Sequence, residues 1–260
     1  TSAGQGYSDL HLFYDYANLS GSPSNPKDIA NTSFFYAKTI YDNSPLNRVM
    51  EQGAPGAAWQ PGQHTVTYNY SSNDRMQVYC LGLDASGNIV NTVDGSYYSP
   101  GELYCTLTTE ENEKTSKVFT DKLGKVIMKS NPDDGQTYYV YDNFGLLRFV
   151  LPPKFVELIP SLFLYINTEI SPNDQEVLDL CYSYEYDHRQ RMIMKKLPGA
   201  EPVYMVYDVR DRLVATQDGN MRTSNEWLFT KYDALNRPVS TGLVNYSNGS
   251  NAEEIRDNLQ

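Results

Sequence analysis

Apolar and polar residues alternate in short runs along most of the chain, which is the period of a β-strand with one buried face. Turn-forming residues separate the runs, as in "YMVYDVRDRLVATQDG" at residues 204–219, where two apolar strands flank a charged turn. A strand, a tight turn and a second strand make a hairpin. The pattern therefore predicts an all-β fold with minor helical insertions, in which stacked antiparallel β-hairpin repeats form a curved, open sheet.

The predicted hairpins share a motif, Tyr-Asp before the turn and Arg four residues after the Asp. The clearest copies are Tyr186-Asp187 with Arg191, Tyr207-Asp208 with Arg212, and Tyr232-Asp233 with Arg237. Weaker copies are Asp121 with Lys125, Arg75 with Ser71 in place of Asp, and two with a step of six residues, Tyr141-Asp142 with Arg148 and Tyr41-Asp42 with Arg48. A motif that recurs at this spacing indicates a repeat architecture.

Each residue type in the motif has a structural reason to be there. Asp opens turns because its carboxylate accepts backbone N–H groups two residues on. Arg four residues later lies across the turn, where an opposite-charge pair contributes about 0.2–1 kcal/mol. The Tyr ring is expected to lie over the neighbouring hairpin, so that stacked hairpins share one core. The alternative is a ligand site repeated along the array.

These motifs resemble the YD-repeat, or RHS-repeat, family of bacterial polymorphic-toxin and cell-surface proteins. The resemblance is strongest over 115–243, in "YYVYDNFGLLRFVLPP", "KKLPGAEPVYMVYD" and "WLFTKYDALNRPVSTG". The segment "YDNSPLNRVMEQGAPGAAWQPG" at 41–62 is similar to an N-terminal segment of long bacterial members. The resemblance implies a long β-sheet that spirals into a hollow shell around a C-terminal toxin or effector, as in teneurins and in the shell components of insecticidal toxin complexes.

The chain departs from that family in two ways, because it has neither the Asp-Pro-x-Gly core motif associated with self-cleavage nor a variable effector. We therefore expect a portion of a shell wall, whose partner is the remainder of a longer YD-repeat chain or a C-terminal effector. The segment "TSAGQGYSDL" at the start lacks the features of a signal peptide. We expect either that a signal was removed or that this is a piece of a longer chain.

The organisation expected from the sequence has three parts. Residues 1–63 form irregular strands and loops, with turn-rich loops at 18–33 and 53–63. Residues 64–243 form the hairpin array, interrupted by a partly helical insertion at about 152–181. Ser171-Pro172 predicts a helix start, with Ser as N-cap and Pro at the first position, and a further turn of helix is expected near 154–159. Residues 244–260 form a tail with a helix start near Ser250.

Composition and charge narrow the class of protein. The 260 residues carry a net charge of −11, which opposes binding to nucleic acid, and they contain no apolar run long enough to span a membrane. Tyr is unusually frequent at 22 residues, which suits sheets with one half-wet face. The three cysteines, at positions 80, 105 and 181, match no metal spacing. We expect buried free thiols, and a Cys80–Cys105 disulfide is the alternative.

Candidate chemical groups are few and each has a simpler structural explanation. His11, His64 and His188 are in no metal-spaced set and no nucleophile motif. The segment "DASGN" at 84–88 is faintly similar to half a calcium loop, but hairpin chemistry explains it equally well. Trp59 and Trp227 are weak candidates for stacking on sugars, against a core-packing alternative. No catalytic, metal or cofactor site is predicted.

The sequence thus favours a non-enzymatic structural segment of an exported bacterial protein, at the cell surface or secreted, that serves as scaffold or shell wall for a toxin or surface assembly. A carbohydrate- or protein-binding surface module is the alternative, and an autoproteolytic or hydrolytic enzyme is a weaker one. An incomplete shell wall should leave strand edges open, so we expect the isolated chain to be a monomer or a weak edge-to-edge dimer.

Overall fold

The computed structural model describes residues 33–92, 97–162 and 169–245. The predicted loop at 18–33 (apart from Ser33), the helix start near Ser250 and His11 lie outside these ranges. The strands of the described residues are β1 (Lys38–Tyr41), β2 (Val49–Gly53), β3 (Val66–Ser72), β4 (Leu81–Leu83), β5 (Ile89–Asn91), β6 (Tyr104–Thr109), β7 (Thr115–Thr120), β8 (Val126–Asn131), β9 (Gly135–Tyr141), β10 (Leu147–Leu151), β11 (Tyr182–Tyr186), β12 (Met192–Lys196), β13 (Val203–Tyr207), β14 (Leu213–Gln217), β15 (Glu226–Tyr232) and β16 (Pro238–Asn245).

Fourteen of these strands belong to one open sheet with the order β1-β2-β3-β6-β7-β8-β9-β10-β11-β12-β13-β14-β15-β16. Strands β4 and β5 pair separately as a small antiparallel ribbon. Neighbours in the large sheet are also neighbours in sequence, except where β3 meets β6, which is the arrangement that consecutive hairpins produce. The predicted all-β class with stacked antiparallel hairpins is confirmed.

Helices are short and confined to connections between strands. The described helices are α1 (Pro153–Val156), α2 (Ile159–Leu162), α3 (Gln175–Leu180) and α4 (Gly219–Thr223), with a 3₁₀ turn at Ala57–Trp59. None of the helices in the described ranges is long and apolar enough to cross a membrane. The first three lie between β10 and β11, in the segment where the hairpin rhythm of the sequence breaks.

The predicted start of α3 at Pro172 is wrong. The helix begins at Gln175 and its N-cap is Asp174. The backbone N–H of Ser171 donates to Asp174 Oδ2 at 2.8 Å, and the Ser171 hydroxyl accepts the N–H of Asn173 at 3.2 Å. These bonds close a separate turn over 171–174, so the first helical residue moves three positions along the chain.

The chain divides into two compact units. Of the described residues, the first unit contains 33–73, 101–125 and 129–133, and the second contains 74–92, 97–100, 126–128, 134–162 and 169–245. In the first unit, Leu103, Cys105 and Phe119 are fully or nearly fully buried. Strands β1 and β2 pair with each other and β2 pairs with β3, so part of the segment predicted as irregular is regular sheet.

In the second unit, β9 shows how alternation along a strand places one set of side chains in the core. Tyr138 and Val140 of β9 are about 1% exposed, whereas Tyr139 and Tyr141 between and after them are only half-buried. This is the period-two pattern that the sequence shows. A second cluster forms towards the end of the sheet, where Trp227 packs with Val206, Val214 and Ala215.

The match proposed at Ser71 and Arg75 is wrong. Ser71 lies inside β3 and pairs with Cys105 of β6. The chain leaves the strand at Asn73, whose backbone N–H donates to Leu103 O and whose side chain accepts the N–H of Leu103 at 2.8 Å. The hairpin connection is thus replaced by the long excursion that carries β4 and β5.

Candidate functional site

The repeated Tyr-Asp motif builds one kind of turn. At Asp208, the backbone N–H donates to Arg212 O at 3.0 Å, and the N–H of Asp211 donates back to Asp208 O at 3.2 Å. Asp211 has a positive φ of 61°, and the strand register shifts between Val206 and Tyr207. This is the three-residue hairpin loop, a type I turn followed by a bulge with a left-handed residue. The same pair of bonds occurs in the turns that open at Asp84, Glu110, Asp121, Asp142, Asp187 and Asp233.

The Asp carboxylate fills the inside of the turn. Asp208 Oδ1 accepts the backbone N–H of Arg210 at 2.8 Å and of Arg212 at 3.0 Å. Its Oδ2 accepts Arg212 Nε at 2.7 Å and lies 2.6 Å from Nη2, so one carboxylate oxygen contacts two guanidinium nitrogens. Asp208 is 1% exposed. Asp187 with Arg191 and Asp233 with Arg237 repeat the carboxylate-to-backbone and carboxylate-to-Nε contacts.

The Arg of each turn also holds the next hairpin. Arg191 Nη1 donates to Asp208 O at 3.0 Å and to Asp211 Oδ1 at 2.8 Å, and the guanidinium carbon lies 4.9 Å from the centre of the Tyr207 ring. One hairpin further, Arg212 Nη1 donates to Asp233 O at 3.3 Å and to Asn236 Oδ1 at 3.1 Å, and it covers the Tyr232 ring at 4.9 Å. The Arg therefore connects two hairpins, whereas the spacing of four predicted a contact inside one.

The Tyr hydroxyl bonds in the opposite direction, back to the preceding hairpin. Tyr207 donates to Met192 O and Tyr232 donates to Leu213 O, both at 3.0 Å. In each case the acceptor is the residue directly after the Arg. Tyr70, Tyr141 and Tyr186 make the corresponding bond to Val49 O, Val126 O and Leu147 O. We name this set of Asp, Arg and Tyr contacts the hairpin ladder.

The two copies with a step of six differ from each other. Arg48 keeps its contact with Asp42, through Nε to Oδ2 at 2.8 Å, across a turn that is two residues longer. At Asp142, however, the fourth residue is Leu146, and its backbone N–H donates to Asp142 Oδ1 at 2.9 Å. Arg148 instead donates from Nε to Tyr184 O at 2.8 Å. The proposed match of Arg148 to the motif Arg is therefore wrong.

Two further turns keep the bonds from Asp to the turn backbone although Lys or Asn stands in place of the Arg. Asp121 Oδ1 accepts the backbone N–H of Leu123 at 2.9 Å and of Lys125 at 2.8 Å. Asp84, in the segment similar to half a calcium loop, accepts the N–H groups of Ser86 and Asn88, and its Oδ2 accepts Asn88 Nδ2 at 2.9 Å. The oxygens of Asp84 are thus engaged in a turn of the same kind. Sequence reasoning missed this copy because Asn stands where Arg was sought.

The ladder keeps its carboxylates ionised. Burial alone would raise the pKa of Asp208, but hydrogen bonds from the backbone and guanidinium of Arg212, and from the Arg210 N–H, lower it below the ordinary value. The pKa of Asp187 is lowered against burial in the same way by Arg191. The hydrogen bond from the Arg48 guanidinium lowers the pKa of Asp42 to about 2. Each of these carboxylates therefore takes up its proton at a lower pH in the folded chain than an ordinary aspartate does.

Removing only the hydroxyl of Tyr207 should reveal the value of the bond between hairpins. We expect Tyr207→Phe to lower the free energy of unfolding by about 0.5–1.5 kcal/mol, because Met192 O loses its donor while the ring stays under Arg191. A urea titration measures this. Tyr104→Phe, at an exposed tyrosine, is the matched control and should change the midpoint little. Equal midpoints for both variants would contradict the assignment.

The other candidate residues do not converge on a chemical site. Among the described residues, no group of three or more His, Cys, Asp or Glu side chains is placed to hold a metal ion. Cys80, Cys105 and Cys181 are free and buried, and burial raises the pKa of the Cys181 thiol to about 12. The alternative of a Cys80–Cys105 disulfide is wrong.

The two tryptophans have different surroundings. Trp227 is 9% exposed and belongs to the core, so its ring is not available for stacking on a sugar. Trp59 is exposed and lies beside His64, with ring centres 5.9 Å apart. A separate hollow of about 450 Å³ is lined by Thr137, Val150, Pro152 and the half-buried tyrosines 139, 182 and 184.

Comparison with known proteins adds a partial family match and remote similarities. A family model described as "Domain of unknown function (DUF6443)" matches residues 2–72, which is less than half of the chain. No curated protein matches.

Solved structures with similarity to this chain include three from Tc toxins. They are the crystal structure of TcdB2-TccC3-TEV (14% identity, TM-score 0.45, covering 80% of this chain and 8% of that one), TcdB2-TccC3 without its hypervariable C-terminal region (13%, 0.46, 82% and 9%) and the Photorhabdus luminescens Tc holotoxin pore (13%, 0.47, 82% and 9%). The chain spans less than a tenth of the length of these proteins. At such identities and TM-scores, the similarities carry no conclusion about what this chain does.

Proposed function

We propose that this chain is a non-enzymatic structural segment of an exported bacterial YD-repeat protein, forming part of a scaffold or shell wall for a toxin or surface assembly. The observation that carries the proposal is the hairpin ladder. In the central hairpins, the carboxylate, guanidinium and phenol of the motif bind turn backbone and the neighbouring hairpin, so they have little capacity left for a ligand. Because the charged groups of the motif bind within the sheet itself, we assign the motif a structural role rather than a role in recognition or catalysis.

The sequence resemblance supports the proposed setting. The motif text over 115–243 is similar to YD-repeat proteins, whose sheets enclose or display other polypeptides. By that resemblance, the chain would act at the cell surface or in the medium, and its partners would be further repeats or an effector. Fractionation of the bacterium that encodes it, with an antibody against this chain, should place it in the medium or at the surface. Detection only in the cytoplasm would contradict the export.

A thermal-shift experiment separates a scaffold from a repeated ligand site. We expect Asp187→Asn and Asp208→Asn to lower the melting temperature, and we expect a library of glycans, metal ions and metabolites to leave it unchanged in the parent chain. Glu111→Gln, an exposed carboxylate in the β6–β7 turn, is the control for loss of charge alone. If the Asp variants kept their stability but lost a stabilising ligand, the ladder would be a binding site and the scaffold role would fail.

A surface-binding role is a second candidate because of the tyrosine-lined hollow in the second unit. Tyr139, Tyr182, Tyr184 and Pro152 line about 450 Å³, and tyrosine rings can stack on sugar faces while their hydroxyls donate hydrogen bonds. A glycan array with the parent chain and Tyr184→Ala tests this. Binding that the substitution abolishes would favour a surface-binding module. If the parent chain bound no glycan, only the scaffold role would remain.

A further inference from the structure

The ladder defines what each Arg requires from the hairpin that follows it. Arg191 and Arg212 each use three features of the next hairpin: the ring of its Tyr, the backbone carbonyl of its Asp, and a side-chain oxygen three residues after that Asp. With these contacts made, the two Arg side chains are 20% and 21% exposed. The arrangement is the same at two successive hairpins. We call it the socket of the Arg: the place where the Tyr ring, the Asp carbonyl and the side-chain oxygen of the following hairpin meet the guanidinium group.

Arg237 has the same position in the last described hairpin, but its socket is open. Its Nε donates to Asp233 Oδ2 at 2.7 Å, as in the earlier copies. Its side chain is nevertheless 71% exposed, and within the described residues no Tyr ring or turn oxygen follows it. The residue directly after it, Pro238, still offers a backbone carbonyl at the place where Met192 and Leu213 accept a Tyr hydroxyl.

The strand beside this socket has an edge suited to pairing. β16 is the last strand in the sheet order and pairs over its whole length with β15. Val239 and Leu243 are more than half exposed, and no charged residue lies between Pro238 and Asn245. Exposed edge strands in natural proteins are usually protected by charges or by proline within the strand, and here the only proline is at the first position.

We infer that the edge of β16, with Arg237 and Pro238, is a docking site for one further hairpin of the same kind. The hairpin would add its first strand antiparallel to β16 and place its Tyr ring under Arg237. It would also present the Asp carbonyl, and an Asn or Asp three residues later, to Nη1, the guanidinium nitrogen that makes these contacts in Arg191 and Arg212. The occupant is therefore a strand ending in Tyr-Asp-x-x-Asn or Tyr-Asp-x-x-Asp. This inference rests on the proposed scaffold role, because a wall segment must bind its continuation.

A fused donor hairpin tests the inference. A second copy of Val203–Gln217, which includes the Tyr-Asp-x-x-Asp sequence, is attached through a long Gly/Ser linker after Gln260 of the full chain. The linker gives the donor a high effective concentration at the edge. We expect hydrogen exchange of the β16 amides to slow by about tenfold or more relative to the chain with the linker alone.

The control variants address the specificity of the socket. Arg237→Ala should remove most of the added protection, and so should Tyr→Ala at the donor copy of Tyr207. Lys231→Ala, on neighbouring β15, should leave the protection in place. Unchanged exchange with the intact donor, or equal protection in the Arg237→Ala chain, would overturn the inference.

Self-association is a distinct outcome that would also overturn it. If light scattering after size exclusion showed that the chain without a donor forms oligomers, and Arg237→Ala dissolved them, the edge would be occupied by a second copy rather than by one added hairpin. A failure of the docking test leaves the scaffold role separately testable. Asp208→Ala changes the ladder one hairpin before Arg237, and its effect on stability is measured without a donor, so that result does not depend on docking at the β16 edge.

Discussion

Replacing Asp208 with alanine should lower the free energy of unfolding by about 2–4 kcal/mol. The carboxylate is 1% exposed and accepts two backbone N–H groups and the Arg212 guanidinium. Its removal leaves those donors without an acceptor inside the turn, and a buried donor without a partner costs its full desolvation. It also frees Arg212, which holds the Asp233 carbonyl and covers Tyr232.

Urea titrations of matched variants give the measurement. Asp233→Ala removes the same set of contacts from a more exposed turn, where the side chain is 23% exposed and the Arg has no following hairpin in the described chain. We expect it to destabilise less than Asp208→Ala. Asp208→Asn, which retains an acceptor for the backbone donors, should fall between Asp208→Ala and the parent. Equal losses at positions 208 and 233 would show that burial and the contact to the next hairpin contribute nothing.

The class of fold could be predicted from the sequence because its causes are local. Alternation along β9 and β13, and turn formers between them, are sufficient for hairpins. The long connection after Asn73, which carries β4 and β5, could not be predicted. It depends on a buried hydrogen bond between Asn73 and Leu103, which are 30 positions apart in the sequence. The start of α3 differs from the prediction because Ser171 bonds to Asp174 Oδ2 through its N–H and accepts the N–H of Asn173 at its hydroxyl, which closes a turn before the helix.

The ladder contacts within one hairpin could be predicted from the sequence, whereas the contacts between hairpins could not. A step of four from Asp to Arg is readable because the turn itself sets it. The contact from Arg191 to Asp208 and Tyr207 depends on strand register and on the bulge before each Asp, which the sequence alone does not specify. Arg148 shows the limit, since it is an Arg in the right region of the sequence, although Leu146 occupies the ladder position.

The charged state of the ladder makes acid the second strong test. The pKa values of Asp84, Asp187, Asp208 and Asp233 are lowered in the folded chain, and that of Asp42 falls to about 2. In the unfolded chain these groups return to about 3.9. Between the pKa values of the folded chain and those of the unfolded chain, the unfolded state binds more protons, so the free energy of unfolding falls as the pH falls. The contribution is complete above about pH 4 and is lost as the pH drops through the folded values.

General electrostatics act in the opposite direction at first. The chain carries a net charge of −11 at neutral pH, so the first protons taken up reduce repulsion and should stabilise the compact state. As protonation continues from about pH 5 to about pH 2, the net charge becomes positive and repulsion grows again, so it adds to the loss from specific carboxylates whose ionised form the fold prefers. We expect urea midpoints to decrease over that interval, most steeply below about pH 4.

A double variant identifies the groups responsible. Asp187→Asn combined with Asp208→Asn should be less stable at about pH 7, yet its urea midpoint should depend less on pH between about 5 and 2, because two of the linked protons are gone. Glu111→Gln should follow the parent curve. If the double variant and the parent ran parallel over the whole interval, the ladder carboxylates would not be the groups that acid removes, and the turn network would be incidental to the stability of the sheet.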